Sequence, residues 1–176
     1  KIAEAHGFIS AKRKESQDIC FIPDGDYASF IERYTGKKIA SGNFVDMDGN
    51  ILGIHKGIIH YTVGQRKGLG LALKHPMYVQ YIDVDNNEVV LGSNEDLFKR
   101  ELTAHNFNWV SIACTDAPFR AKARIRYKHK EAPATITPLS ETEVKIVFDE
   151  PQRAITKGQS VVVYDGDYVV GGGKIV

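Results

Sequence analysis

The sequence is poor in cysteine, in net charge and in long apolar runs, and each shortage excludes a class of protein. Two cysteines among 176 residues cannot form a disulfide scaffold, so we expect a reducing compartment. No apolar run reaches the roughly 18 residues that a membrane span needs. The N-terminus also lacks the apolar core of a signal peptide. We therefore expect a soluble, cytoplasmic globular protein with no membrane partner.

The net charge is only +1, because 23 Lys and Arg nearly balance 22 Asp and Glu. That average predicts neither a nucleic-acid nor a membrane partner. The cations are nevertheless concentrated in three places, Lys12–Lys14, Arg66–Lys67 and Arg120–Lys130, whereas the acidic residues are scattered. The distribution of charge is therefore more informative than its sum.

Hydrophobic periodicity predicts a mainly β protein. From residue 37 onward the apolar residues alternate, and turn signals recur at Asp48-Gly49, Asp85–Asn87 and Asp165-Gly166. No stretch of ten or more residues after residue 100 has helical spacing. We predict a small central β domain followed by an antiparallel β-barrel of about six strands.

The first 36 residues form the one convincing helical stretch. Asp26 is expected to cap a helix of about nine residues that ends at Gly36. The opening Lys1–Gly7 has no Met and resembles the end of a helix. We expect the chain to be a fragment of a longer one, with a processed or tag-cleaved N-terminus as the alternative. The predicted domains are a helical segment 1–35, the central β domain 36–98 and the barrel 99–176.

The segment Arg120–Lys130 carries six cations at every second position. On a strand all six would lie on one face, as a stripe of roughly 33 Å that could follow several phosphates. The alternative is a charged strand that protects a sheet edge from aggregation.

A glycine-rich motif, Gly64–Gly70, contains Arg66 and Lys67. Its three glycines would let the backbone approach a ligand, and the two cations favour phosphate. It is not a P-loop, because no helix follows it. A solvated turn with two surface cations is the alternative. A second run of glycines, Gly171–Gly173, predicts a β-bulge or a barrel corner.

The two cysteines differ in their surroundings. Cys20 follows the basic run Lys12–Lys14, which would favour a reactive thiolate if it lies close in space; a buried, inert Cys20 is the alternative. Cys114 is expected to be structural filler. No metal site is expected, because the cysteines lack metal-ligand spacing and His55 and His60, five residues apart, share no strand or helix face.

Several strings together resemble the bacterial tRNA-specific 2-thiouridylase (MnmA) family, over slightly less than the C-terminal two-thirds of its members. They follow the family's order and spacing along nearly the whole chain. The matching strings are Ser16–Ile22, His60–Gly70, Arg124–Tyr127, and Gly158–Ser160 with Gly171–Gly173.

The resemblance implies an enzyme that replaces the C2 oxygen of the wobble uridine of tRNA by sulfur. Cys20 would carry a persulfide whose terminal sulfur attacks the adenylated C2. The implied partners are a tRNA with a wobble uridine and a sulfur-donor or relay protein, and the enzyme is expected to be a monomer. The implied tRNA contacts are Arg126, Tyr127 and Gln159, to which we add Arg66, Lys67 and Arg124.

The chain departs from the family pattern in two respects. It lacks the family's ATP-binding Ser-Gly-Gly-Val-Asp-Ser loop and the second catalytic cysteine, to which Cys114 does not correspond. ATP with Mg²⁺ would therefore be bound by an absent N-terminal ATP-pyrophosphatase domain, and the chain alone should be inactive. The alternatives are a non-catalytic RNA-binding module with a translation-factor-like barrel, and a thiol redox sensor that pairs Cys20 with Cys114.

Overall fold

A computed structural model describes residues 2–8, 22 and 25–176. The chain forms two compact units, residues 1–39 and residues 40–176. The central sheet and the barrel both belong to the second unit. The finer division into 1–35, 36–98 and 99–176 stays a prediction. No helix in the described ranges is long and apolar enough to cross a bilayer.

The described residues of the first unit form two helices, α1 (Ile2–Ala5) and α2 (Tyr27–Thr35). Asp26 caps α2, because its side chain accepts a hydrogen bond of 3.0 Å from the backbone N–H of Ser29. Gly36 ends α2 in the left-handed conformation, at φ 67°. Both predicted ends of the helix are confirmed.

The strands of the central sheet are β1 (Gly42–Val45), β2 (Ile51–His55), β3 (Tyr78–Asp83) and β4 (Glu88–Gly92). Their order in the sheet is β2-β1-β4-β3. The predicted hairpins at Asp48-Gly49 and Asp85–Asn87 are confirmed by the pairs β1–β2 and β3–β4. A parallel pairing of β1 with β4 was not predicted. It arises because residues 56–77, between β2 and β3, are long enough to bring the second hairpin beside β1.

His55 is part of the core of this sheet, with 1% of its surface exposed. Its Nδ1 accepts a hydrogen bond of 3.0 Å from the N–H of Gly57, so Nε2 carries the proton and donates to the carbonyl oxygen of Asn87 at 3.1 Å. The ring packs edge-on against Phe44 and Tyr61, with centroids 5.5 and 5.7 Å away. Both ring nitrogens of His55 thus serve the fold.

The strands of the barrel are β5 (Phe98–Trp109), β6 (Phe119–Arg124), β7 (Ala132–Ser140), β8 (Glu143–Arg153), β9 (Ser160–Asp165) and β10 (Tyr168–Ile175). The barrel closes in the order β10-β5-β8-β7-β6-β9, with every neighbouring pair antiparallel. The hairpin predicted at Asp165-Gly166 joins β9 to β10. Inward-facing Ile136, Ile146 and Phe148 are among the residues that fill the core. The predicted fold class is confirmed.

The glycine run Gly171–Gly173 lies in β10, where the pairing with both neighbouring strands is irregular. A Cβ atom on Gly171 would lie 2.5 Å from the carbonyl oxygen of Asn108. The glycines therefore allow a close approach of β10 to β5, in addition to the predicted bulge.

The predicted basic stripe along Arg120–Lys130 is wrong as a continuous strand, because β6 ends at Arg124. The next residues form bends and a turn, in which the N–H of His129 donates to the carbonyl oxygen of Arg126 at 3.1 Å. Arg120 is also not free, because it forms an ion pair of 2.6 Å with Asp149. The chain turns away because Arg126 bonds to other loops.

Candidate nucleic-acid interface

Three segments meet where the central sheet adjoins the barrel: residues 62–68, 126–130 and 154–159, together called the rim. Arg126 joins them through its Nη2 atom. This nitrogen donates to the carbonyl oxygen of Ala154 at 2.8 Å, to Oγ1 of Thr156 at 2.5 Å and to the carbonyl oxygen of Val63 at 3.4 Å. One half-buried side chain thus contacts both other segments of the rim.

Local backbone geometry shapes the barrel side of the rim. Ala154 adopts the left-handed conformation at φ 57°, which ends β8 abruptly. Its N–H donates to the carbonyl oxygen of Leu97 at 2.8 Å, and its carbonyl oxygen accepts from Arg126. The hydroxyl of Thr156 also donates to this carbonyl, at 2.9 Å.

The segment 62–68 is braced by its own hydrogen bonds. Gly64 lies at φ 86° and donates to the carbonyl oxygen of Val79 at 2.7 Å. The side chain of Gln65 accepts from the N–H of Thr62 and donates to the carbonyl oxygen of Lys67, both at 3.0 Å. These bonds define the path of the loop, while the side chains of Arg66 and Lys67 are exposed.

The rim concentrates positive charge. Its three segments contain six Lys and Arg residues and no Asp or Glu. The described residues place no carboxylate within ion-pair distance of Arg126 or of neighbouring Arg153. Uncompensated charge of this kind attracts an anionic partner. The six cations are Arg66, Lys67, Arg126, Lys128, Lys130 and Lys157.

Burial and mutual repulsion lower the pKa values of two groups here. The pKa of Arg126 is lowered first by burial and then by the charge of Arg153. The pKa of His129 is lowered by burial and then by Arg126 and Arg153. Both shifts show that burial and neighbouring cations disfavour the protonated, positively charged form of these groups. A bound anion would offset this electrostatic penalty.

Arg126 has donors left over for such an anion. All three of its hydrogen bonds use Nη2, which leaves Nε and Nη1 without a partner among the described residues. None of the buried side-chain nitrogens in the described part of the chain lacks a partner. The unpartnered donors of Arg126 are therefore not fully buried, and guanidinium donors of this kind suit a phosphate.

Two further predicted residues lie on the rim. Tyr127 follows Arg126 and has 73% of its surface exposed, which is unusual for an aromatic side chain. Gln159 is exposed, and its backbone is held by Thr156 and Ile175 at 3.2 and 2.9 Å. A stacking group and an amide are thus presented beside the cations.

Arg124 lies on the outer wall of the barrel, two residues before Arg126. Its guanidinium lies 5.0 Å from the centre of the Tyr164 ring and donates a hydrogen bond to the hydroxyl of Tyr164. Arg66 also extends toward a different feature, an open depression of about 510 Å³ that it lines with Lys74 and His75. Arg124 and Lys74 therefore add positive charge next to residues of the rim.

The structure thus brings Arg66, Lys67, Arg126, Tyr127 and Gln159 to one rim, with Arg124 adjacent to it. Cys20 and Lys12–Lys14 lie outside the described residues. The expectation for Cys114 as filler is wrong: it is an exposed free thiol, 3.8 Å from the carbonyl oxygens of Thr115 and Ser140. Its loop leaves the barrel wall before Phe119, so the side chain packs into no core.

Comparison with known protein sequences identifies the family of this chain. Residues 28–93 match the tRNA methyl transferase PRC-barrel domain, and residues 99–175 match the aminomethyltransferase beta-barrel domain. The tRNA-specific 2-thiouridylase MnmA of Acetivibrio thermocellus is 58% identical over 98% of this chain. The enzymes of the same name from Clostridioides difficile and Lachnoclostridium phytofermentans are 55% and 52% identical over 99% and 100% of it. The chain belongs to the tRNA-specific 2-thiouridylase family.

The chain spans about half the length of these 2-thiouridylases: 48%, 48% and 49% of the three relatives. Sequence reasoning missed one residue of the interface, Arg153. It follows Glu150-Pro151-Gln152 at the end of a strand, and nothing in that string signals its role. Only the fold brings its side chain to Asn94 and Gly64.

Proposed function

We propose that this chain is the tRNA-binding and persulfide-bearing part of a tRNA-uridine 2-sulfurtransferase. The observation that carries the proposal is the 58% identity to a 2-thiouridylase over 98% of the chain. The carboxylate-free rim supports it independently, because tRNA is a polyanion whose affinity comes largely from phosphate contacts. The substrate is a tRNA with a wobble uridine.

The proposed chemistry replaces the C2 oxygen of that uridine by sulfur. Adenylation by ATP makes the oxygen a leaving group, and we assign this step to a part of the enzyme outside these 176 residues. The residues present do not fit the nucleotide: the family's Ser-Gly-Gly-Val-Asp-Ser loop does not occur in them. The described residues also include no cluster of His, Cys, Asp and Glu for Mg²⁺. We therefore expect the 176-residue chain alone to be inactive.

Cys20 is the proposed persulfide carrier, loaded by a sulfur-donor or relay protein. A cysteine sulfur can accept a sulfane sulfur and present it as a nucleophile. The terminal sulfur bonds to C2 as the adenylate leaves. The sulfur–sulfur bond must then be broken by a second thiolate, which leaves a protein disulfide.

The rim is the proposed tRNA contact, with each residue in a distinct role. Arg126 binds a phosphate through Nε and Nη1, while Nη2 remains bonded to the protein. Tyr127 offers a face for stacking on a base or ribose, and Gln159 offers an amide. Arg66, Lys67 and Arg124 add phosphate contacts. We expect the enzyme to bind tRNA as a monomer.

The test compares Cys20→Ser with Cys114→Ser in the full-length enzyme. Cys20→Ser should abolish 2-thiouridine, measured by mass spectrometry of digested tRNA, while tRNA affinity stays within about twofold. Cys114→Ser should retain both the formation of 2-thiouridine and the affinity for tRNA. Formation of 2-thiouridine by Cys20→Ser would overturn the assignment. A wild-type enzyme that binds tRNA but takes up no persulfide on Cys20 would instead indicate a non-catalytic RNA-binding module.

A further inference from the structure

Arg153 connects the barrel to the central sheet, although nothing in its sequence context marks it. It is the last residue of β8, and its side chain contacts three residues that precede the barrel in the chain. Nε donates to Oδ1 of Asn94 at 3.2 Å, and Nη2 donates to the carbonyl oxygen of Gly64 at 3.4 Å. The guanidinium also lies 5.4 Å from the centre of the Tyr78 ring.

We propose that Arg153 is a positioning residue that holds the Arg66–Lys67 loop in the rim. The inference rests on the proposed function, because it assigns the loop to tRNA binding. Arg153 acts through the backbone at Gly64, two residues before Arg66. It fixes where the two loop cations lie relative to Arg126 and Tyr127, rather than binding RNA itself.

Among the described residues, two arginines of the barrel side donate to the backbone of the loop. Arg126 reaches the carbonyl oxygen of Val63 and Arg153 that of Gly64, each at 3.4 Å, which is long for a hydrogen bond. Arg153 differs from Arg126 in that it is also anchored on the sheet, by Asn94 and Tyr78. A Cβ atom on Gly64 would lie 3.1 Å from Cβ of Ala154 and 3.3 Å from Nη1 of Arg153. The loop therefore lies flat against the barrel because Gly64 has no side chain, and Arg153 holds it there.

An arginine is required at position 153 because one side chain must contact several partners at once. Its planar group can donate to two acceptors while one face lies over an aromatic ring, and lysine has no equivalent geometry. The ring contact with Tyr78 and the bond to Asn94 anchor the guanidinium on the sheet. Since no carboxylate of the described residues pairs with it, its contacts specify a position rather than neutralise a charge.

The first test measures the loop without any RNA. The contacts of Arg153 with Gly64, Asn94 and Tyr78 are called the clasp. In the full-length enzyme, Arg153→Ala should increase amide hydrogen exchange in residues 62–68 by about tenfold, because local opening of the loop costs less free energy without the clasp. Arg153→Lys should behave similarly. The matched control Arg120→Ala removes an arginine of the barrel wall that pairs with Asp149, and should leave exchange of the loop unchanged. Unchanged exchange in Arg153→Ala would overturn the inference.

The second test is a double-mutant cycle on tRNA affinity. Arg153→Ala and the loop variant Arg66→Ala/Lys67→Ala should each weaken binding by about tenfold, and their combination should be no weaker than the loop variant alone. Combination with Tyr127→Ala should instead multiply the two losses. Multiplied losses with the loop variant, or full affinity of Arg153→Lys, would show that Arg153 binds RNA directly and overturn its positioning role.

The two tests separate this inference from the proposed function. If the loop exchanges faster in Arg153→Ala but the loop variant binds tRNA like wild type, the tRNA assignment of the loop fails and the clasp stands. If Arg153→Ala does not fold, Asn94→Ala removes only the acceptor of Nε and should produce a smaller change in the same direction. No faster exchange in Asn94→Ala would then count against the clasp.

Discussion

Arg126 donates a hydrogen bond of 2.8 Å to the carbonyl oxygen of Ala154, 28 residues further along the chain. The bond ties the turn after β6 to the loop after β8, and the left-handed backbone of Ala154 presents its carbonyl for it. The same side chain keeps Nε and Nη1 free. One arginine therefore organises the rim and also faces outward from it.

This double role predicts that Arg126→Ala costs stability as well as tRNA affinity. The variant removes hydrogen bonds to Ala154 and Thr156, so the free energy of unfolding should fall by about 2 kcal/mol. Arg120→Ala should lose clearly less stability, because its ion pair with Asp149 is largely exposed to solvent. Urea denaturation of both variants measures the difference. Equal losses would show that Arg126 is an ordinary surface residue.

Much of this architecture could be predicted from local sequence. Turn dipeptides such as Asp165-Gly166 and the cap at Asp26 depend on neighbouring residues only, and they were placed correctly. The parallel pairing of β1 with β4 was missed because it joins segments more than 40 residues apart. No periodicity reports such a contact.

The geometry of the candidate site also depends on contacts between distant segments, which local sequence does not show. Alternation of cations predicted one straight stripe, but the strand ends at Arg124 because Arg126 bonds to loops from elsewhere in the chain. The sequence shows which residues of this segment are basic, whereas their arrangement in space depends on tertiary contacts. Arg153 could not be found at all, because its partners Asn94 and Gly64 lie 59 and 89 residues away.

Charge reversal on the barrel wall tests whether tRNA binds at the rim or along the whole basic segment Arg120–Lys130. Arg124→Glu should weaken tRNA binding and reduce the slope of log affinity against log salt by about 1, because Arg124 adjoins the rim. Lys122→Glu, on the same face of β6 but further from Arg126, should change the slope less. A stripe predicts equal effects for both. Binding measured at several salt concentrations decides, and an unchanged slope for Arg124→Glu would exclude it as a phosphate contact.

The buried His55 should be a stability residue. His55→Leu leaves the N–H of Gly57 and the carbonyl oxygen of Asn87 without partners, so unfolding free energy should fall by about 2–4 kcal/mol. His60→Leu is the matched control, because the His60 ring is only partly buried and packs edge-on against the ring of Tyr61. Nitrogen NMR should find Nε2 protonated and Nδ1 unprotonated in His55. A proton on Nδ1 would contradict the hydrogen bonding described.

The pKa of His129 makes the rim sensitive to pH. Burial and the charges of Arg126 and Arg153 hold this pKa below its ordinary value of 6.5. The unfolded chain therefore takes up a proton near pH 6.5 while the folded chain resists it, so stability should fall as the pH drops through that value. His129→Gln should reduce the loss. An NMR titration should show the pKa rising in Arg126→Ala, and also when tRNA phosphate binds beside the ring. A pKa unchanged by both would mean that His129 does not feel the charge of the rim.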